Sequence, residues 1–249
     1  IGTTLTAWIL SLTGIESDNI LMNLLKPENF SPVFALVGII MLMASKKQRK
    51  KDIGTILLGF AVLMYGMELM SGSVAPLADS PSFANLLTAF NNPILGIAVG
   101  TIFTGIIQSS AASIGILQAL ALTGSITYGM AIPIIMGQNI GTCATALISS
   151  IGVSQNARRV AVIHISFNVI GTIVCYSLFS IANAIFSFAF VDTPINAAGV
   201  ALCHSVFNIV TTIMLLPFSK QLEKLSRFIV RDKKHDEQDV LIDERLLRS

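Results

Sequence analysis

The sequence predicts an all-α polytopic membrane protein with a re-entrant helical hairpin and broken helices. Three observations predict it: the composition, the placement of the basic residues, and polar interruptions inside apolar segments. Of the 249 residues, 53% are hydrophobic and 12% are charged, and the mean hydropathy is +0.75. A soluble chain carries about 25% charged residues, so this one has too little polar side chain to cover a surface in water. The net charge of +2 hides an uneven distribution. Apart from Lys26, every Lys and Arg falls in Lys46–Lys51, in Arg158-Arg159, or in the tail after Phe218.

The apolar segments follow in order. Pro32–Ala44 is short for a span of about 20 residues, so it is tilted, flanked by snorkelling groups, or begins earlier. It ends at Lys46-Lys47-Gln48-Arg49-Lys50-Lys51, a cytoplasmic marker by the positive-inside rule. Ile53–Met70 is a full span with Glu68 near its outer end, where an interfacial role is expected. Residues 71–92, rich in Gly, Pro, Ser and Asn without Lys or Arg, suit an outer loop. Pro93–Leu122 is interrupted at Gln108-Ser109-Ser110, and Met130–Ile151 at Gly137-Gln138-Asn139-Ile140-Gly141. Val160–Phe190 and Ala197–Phe218 are the last apolar runs, and Leu222, Leu225, Phe228 and Ile229 recur at helical spacing in the charged tail.

The charges choose the topology. If 93–122 crossed the membrane, the following span would strand Arg158-Arg159 outside. If it enters and leaves from the outside, every basic block lies inside. The hairpin reading also explains polar residues in mid-segment, since irregular backbone survives at membrane depth only where protein or water covers it.

Residues 1–11 (IGTTLTAWILS) and 140–150 (IGTCATALISS) match at Ile1/Ile140, Gly2/Gly141, Thr3/Thr142, Thr6/Thr145, Ala7/Ala146, Ile9/Ile148 and Ser11/Ser150. By the charge argument the two copies run in opposite directions, the inverted repeat of many secondary transporters. The expected organisation is residues 1–14 as the end of a first repeat and 15–92 as outer loop, linking helices and basic loop. Residues 93–218 form a second repeat, and 219–249 begin a cytoplasmic helical region. The chain is then expected to be an internal fragment, with most of the first copy upstream of Ile1.

Consecutive amide and hydroxyl groups in an apolar segment must find partners, because a buried polar group left unpaired costs a few kcal/mol. Gln108, Ser109, Ser110 and Ser113 are therefore expected at a break between half-helices. Carbonyls and hydroxyls there can hold Na⁺, and the free N–H groups of the next half-helix can hold an anion. Thr104 lies one turn before Gln108. Asn139, Thr142 and Thr145 form the second candidate cluster, with Thr3 and Thr6 as symmetry partners. No charged residue falls in either break, so an anion held here is neutralised by dipoles, hydroxyls and co-bound cations. His164-Ile165-Ser166-Phe167-Asn168 and His204-Ser205-Val206-Phe207-Asn208 echo each other. Lacking a third metal ligand, they read as interhelix hydrogen bonding.

The run Thr104-Gly105-Ile106-Ile107-Gln108-Ser109-Ser110, with Gly137-Gln138-Asn139-Ile140-Gly141-Thr142, Arg158-Arg159 and the two His-x-x-Phe-Asn echoes, resembles the type II sodium–phosphate cotransporter family. The likeness covers about residues 1–218. It implies an inverted-repeat secondary transporter importing phosphate with Na⁺ across the cytoplasmic membrane by alternating access. It places the sodium and phosphate sites at Gln108, Ser109 and Ser110, to which the second interruption adds Thr142 as an expected Na⁺ ligand, and makes residues 220–249 resemble the approach to a PhoU-like helical region. The family commonly has a third serine where this chain has Ala111, which bears on the number of coupled sodium ions. The expected partners are phosphate, sodium and the lipid bilayer; a homodimer is compatible, and no organic cofactor is implied. Another oxyanion, H⁺ coupling, or a phosphate sensor are the alternatives.

Other classes fit poorly. The basic blocks punctuate apolar segments and do not interleave with aromatics, which argues against nucleic-acid binding. Cys143, Cys175 and Cys203 are odd in number, lie in apolar runs and lack metal-ligand spacing. An intramembrane hydrolase using Ser109 with His164 or His204 lacks any supporting signature, so no enzyme activity is expected.

Overall fold

A computed structural model describes residues 2–12, 27–74, 76, 80, 82, 89–152 and 154–231. The described residues are helical with no strand, and four helices are long and apolar enough to cross a membrane: Gln48–Met70, Tyr128–Ser149, Gln155–Phe186 and Ala197–Ile229. The expectations for most of the loop before Pro27, for most of the outer loop after Val74 and for the tail beyond residue 231 lie outside the described residues.

Helix α1 is Gly2–Ser11. Helices α2 (Pro27–Ala44) and α3 (Gln48–Val74) form an antiparallel hairpin turning at Ser45–Lys47, inside the basic block. The first span therefore begins earlier than Pro32. At its middle Gly38 and Gly54 interlock: a Cβ on either would stand 2.8 Å from the other's carbonyl oxygen. Phe30, Phe34 and Phe60 cluster across the same pair, with ring centroids 5.0–5.9 Å apart.

Helix α4 (Pro93–Ile107) starts on Asn92, whose side chain accepts from the N–H groups of Ile94 and Leu95, with Pro93 in the first-turn position that needs no donor. It stops at Gln108, and α5 (Ser110–Ala121) begins on Ser109. Helices α6 (Tyr128–Gly141) and α7 (Cys143–Ser149) follow, then α8 (Gln155–Phe186), α9 (Ala197–Leu215) and the short α10 (Ser219–Ile229).

Close contacts give the directions. Gly96 meets Pro133, Gly100 meets Ile134 and Gln138, and Gly141 meets Thr101 and Thr104, so α4 runs parallel to α6. Helix α5 runs antiparallel to α6, because the Gln138 amide donates to the Ser113 carbonyl while Ala121 precedes Tyr128 by only a short loop. Helices α4 and α5 therefore form a hairpin with both outer ends at the Tyr128 end of α6. At 15 and 12 residues they are about 22 and 18 Å long, each short of the roughly 30 Å hydrocarbon layer. Helix α1 runs alongside α5, with Thr3 at Ser110, Leu10 at Gly115 and the Ala7 carbonyl at Gln118. The Gly-Thr segment that opens α1 thus points one way from the hairpin tip, and its echo in α7 points the other.

One expected interruption moves. Residues 137–141 are helical and end α6, and the discontinuity is confined to Thr142, whose backbone stays right-handed and whose N–H bonds the Gln138 carbonyl. Gly137 and Gly141 do not break the helix; they let α4 approach it. A Cβ on Gly137 would collide with the Ile97 carbonyl, and one on Gly141 with the Thr101 carbonyl. The Thr101 hydroxyl lies between the two backbones, 2.8 Å from Ile97 O and 3.1 Å from Gly137 O. Small residues one turn apart on both helices make a backbone-close membrane interface.

The core packs around α5. Ile114, Leu117 and Ala121 meet Ala7, Ile126, Ala131, Ile135, Ile195, Val200 and Ala201, and Ala119 meets Leu10, Met64 and Met67.

Candidate functional site

The first break is built by backbone conformation. Gln108 has φ 58°, ψ 19°, the left-handed region, and its N–H bonds the Thr104 carbonyl, which ends α4. Ser109 is extended, and its hydroxyl accepts from the Ala112 N–H, which starts α5. A non-glycine residue in the left-handed region costs about 1–2 kcal/mol, so the surrounding packing imposes this turn. The Gln108 side chain is exposed and Ser109 and Ser110 are half-buried.

Around the tip the polar groups pair across elements far apart in sequence. Thr3 Oγ1 and Ser110 Oγ share a hydrogen bond of 2.8 Å. Thr104 Oγ1 and Ser113 Oγ share one of 2.7 Å, both fully buried. Gln138 Nε2 donates to the Ser113 carbonyl at 2.9 Å, while the buried Gln138 Oε1 has no hydrogen-bond partner. A buried carbonyl oxygen left unpaired costs about 1–3 kcal/mol unless an ion or water satisfies it.

Thr3 also lines a polar cavity of about 160 Å³, with Asn139, Thr142, His164, Phe167, Asn168, His204 and Asn208. The three asparagines share one geometry, each Nδ2 donating to the carbonyl four residues earlier: Asn139 to Ile135, Asn168 to His164 and Asn208 to His204. The His204 ring lies 3.0 Å from Thr4 Oγ1, and Asn168 Nδ2 also reaches Cys143 Sγ at 3.4 Å. No charged side chain lines the cavity, and no group of three metal-ligating residues occurs among the described residues. The space is large enough for a small ion with several waters.

Of the expected site residues, Thr3, Ser110, Asn139 and Thr142 meet at or beside the cavity, and Gln108 and Ser109 form the tip. Thr104 and Ser113 pair beneath it. Thr6 and Thr145 bond back to carbonyls of their own helices, Gly2 and Thr142, and neither lines the cavity. Glu68 is exposed on α3. Sequence reasoning did not bring His164, Asn168, His204 and Asn208 to this cavity. The His-x-x-Phe-Asn echo was the available signal, and what it lacked was the convergence of α8 and α9 on Thr3.

The described residues form an all-helical polytopic membrane protein with a neutral, oxygen-rich candidate site at a hairpin tip. The chain belongs to the Na⁺/Pi-cotransporter family, which it matches over residues 1–72 and 62–198. It is 30% identical over 137 residues to the "Uncharacterized protein YqeW" of Bacillus subtilis, covering 55% of this chain and 45% of that protein. It is 25% identical over 145 residues to the "Putative inorganic phosphate export protein YjbB" of Escherichia coli, covering 58% of this chain and 27% of that protein. The human "Sodium-dependent phosphate transport protein 2B" is 32% identical over 119 residues, covering 45% of this chain and 16% of that protein. The chain spans less than half the length of these relatives. No solved structure matches it.

Proposed function

We propose that the protein carrying this chain imports inorganic phosphate with Na⁺ across the cytoplasmic membrane, by alternating access between inverted halves. The observation that carries this reading is the Thr3–Ser110 hydrogen bond, which joins the end of the first half to the hairpin tip of the second. Gln108, Ser109, Ser110 and Thr142 supply neutral oxygens for Na⁺, and Thr3 and Thr142 line the uncharged cavity next to the tip. Phosphate at the start of α5 would meet free N–H groups and the positive end of the helix dipole. With no charged side chain at the tip or in the cavity, bound Na⁺ supplies the positive charge that offsets the anion, which couples the two. The basic loops and tail lie inside in this reading. The 1–14, 15–92, 93–218 and 219–249 divisions, a PhoU-like continuation and a homodimer belong to the same proposal.

The test is uptake of labelled phosphate by the full-length protein in proteoliposomes. Uptake driven by an inward Na⁺ gradient and lost in K⁺ is expected, and uptake indifferent to that exchange overturns the sodium assignment. The printed name of the enteric relatives favours a second reading, phosphate efflux. Vesicles loaded with phosphate and releasing it down an outward gradient faster than they take it up would select that direction.

A further inference from the structure

We propose that α10 and the start of α8 form an anionic-lipid binding surface at the membrane boundary, whatever the protein transports. Helix α10 follows the apolar α9 through a single 3₁₀ turn at Leu216–Phe218, so its position is tied to the end of that apolar helix. It packs on α8 through the buried Leu222 and Ser226. Its C-terminal end is pinned by Arg159, whose Nε and terminal nitrogen donate to the Val230 carbonyl at 3.2 and 3.1 Å. The helix is thus fixed rather than trailing.

Its outward side is amphipathic in a specific way. Leu225, Phe228 and Ile229 are 38%, 71% and 56% exposed on one stripe, and Lys220, Lys224 and Arg227 are exposed beside it. Arg231 lies 5.9 Å over the Phe228 ring, and Arg158 is exposed at the foot of α8. Among the described residues of this surface, Arg158, Lys220, Lys224, Arg227 and Arg231 stand with one acid, Glu223, which pairs with Arg227 at 2.8 Å. Apolar side chains beside an unbalanced row of cations, held at the end of an apolar helix, match the headgroup and upper acyl layer of a bilayer containing anionic phospholipid.

The test uses the full-length protein in nanodiscs of phosphatidylcholine with and without phosphatidylglycerol. Native mass spectrometry should show phosphatidylglycerol retained preferentially. The combined Arg158→Gln, Lys220→Gln and Lys224→Gln substitutions should cut that preference at least fivefold, since each cation near an anionic surface contributes about that factor. Unchanged retention in a variant that melts like the parent overturns the proposal. As an independent measure, the emission added by Phe228→Trp should be quenched by lipids brominated high on the acyl chain. Emission that is blue-shifted but unquenched would mean that polypeptide covers the stripe, and would also overturn it.

Discussion

Gly137→Ala isolates the α4–α6 interface. In an exposed helix the change would stabilise by up to about 1 kcal/mol, because alanine loses less backbone entropy. Here the new Cβ would overlap the Ile97 carbonyl, and the adjoining Ile97 backbone carbon lies 2.8 Å away. Backbone cannot rotate aside as a side chain does, so α4 must move outward. Overpacking of this kind costs about 1–3 kcal/mol, and separation also lengthens the 3.1 Å contact from Thr101 Oγ1 to Gly137 O, which adds less than about 1 kcal/mol because the single Thr101 proton keeps its 2.8 Å bond to Ile97 O. The expected net loss is about 1–3 kcal/mol. Gly59→Ala, whose Cβ would meet nothing within 4 Å, is the matched control. Thermal unfolding of full-length protein in one detergent should place Gly137→Ala several degrees below the parent and Gly59→Ala at or above it. Because α4 ends at Gln108, its displacement also moves the tip, so phosphate affinity should fall in Gly137→Ala and hold in Gly59→Ala. Equal melting temperatures for the two variants would refute the claim that α6 glycines serve close approach.

Further outcomes follow from the same contacts. Thr3→Ala and Ser110→Ala should each weaken phosphate uptake, and the double variant should lose less than the sum, with a coupling of about 0.5–1.5 kcal/mol in a double-mutant cycle. Additive losses would mean that the two hydroxyls act separately. His204→Ala and Asn168→Ala should raise the phosphate or sodium concentration for half-maximal uptake, whereas Thr145→Ala, which removes only a bond within its own helix, should leave it within about twofold. Gln118→Leu should destabilise by about 1–3 kcal/mol in thermal unfolding, because its fully buried amide joins the Ala7 carbonyl at 2.8 Å to the Ala197 carbonyl at 2.9 Å.

The hairpin was legible because Gln108-Ser109-Ser110 places three consecutive polar side chains in an apolar run, more than an unbroken helix in lipid can satisfy through its own backbone. The long spans were legible from the apolar runs between the three basic blocks. The role of Gly137 and Gly141 was not, since glycine marks a helix break and a close helix contact alike. The two meanings separate only when Gly96 and Gly100 are seen on the facing helix. The cavity was partly hidden for a related reason. His164, His204 and Thr3 lie up to 201 positions apart, and no local pattern tells which faces of α8 and α9 turn toward the first segment.

The near-continuity of α6 and α7 has a mechanical consequence. Thr142 keeps right-handed backbone and its N–H bond to Gln138, so the pair behaves as one strut of 22 residues, about 33 Å long. The α4–α5 hairpin is fastened to that strut by interlocked glycines, whereas α1 meets the tip through a hydroxyl pair. A wedge interlocked with a beam on one side, and meeting its other neighbour at the tip itself only through a hydroxyl pair worth about 1 kcal/mol, can part at the tip while the Gln118 amide on the Ala7 carbonyl and Leu10 on Gly115 hold α1 farther along. If the tip opens to one face of the membrane, the seam between Thr3 and Ser110 is where water would enter first.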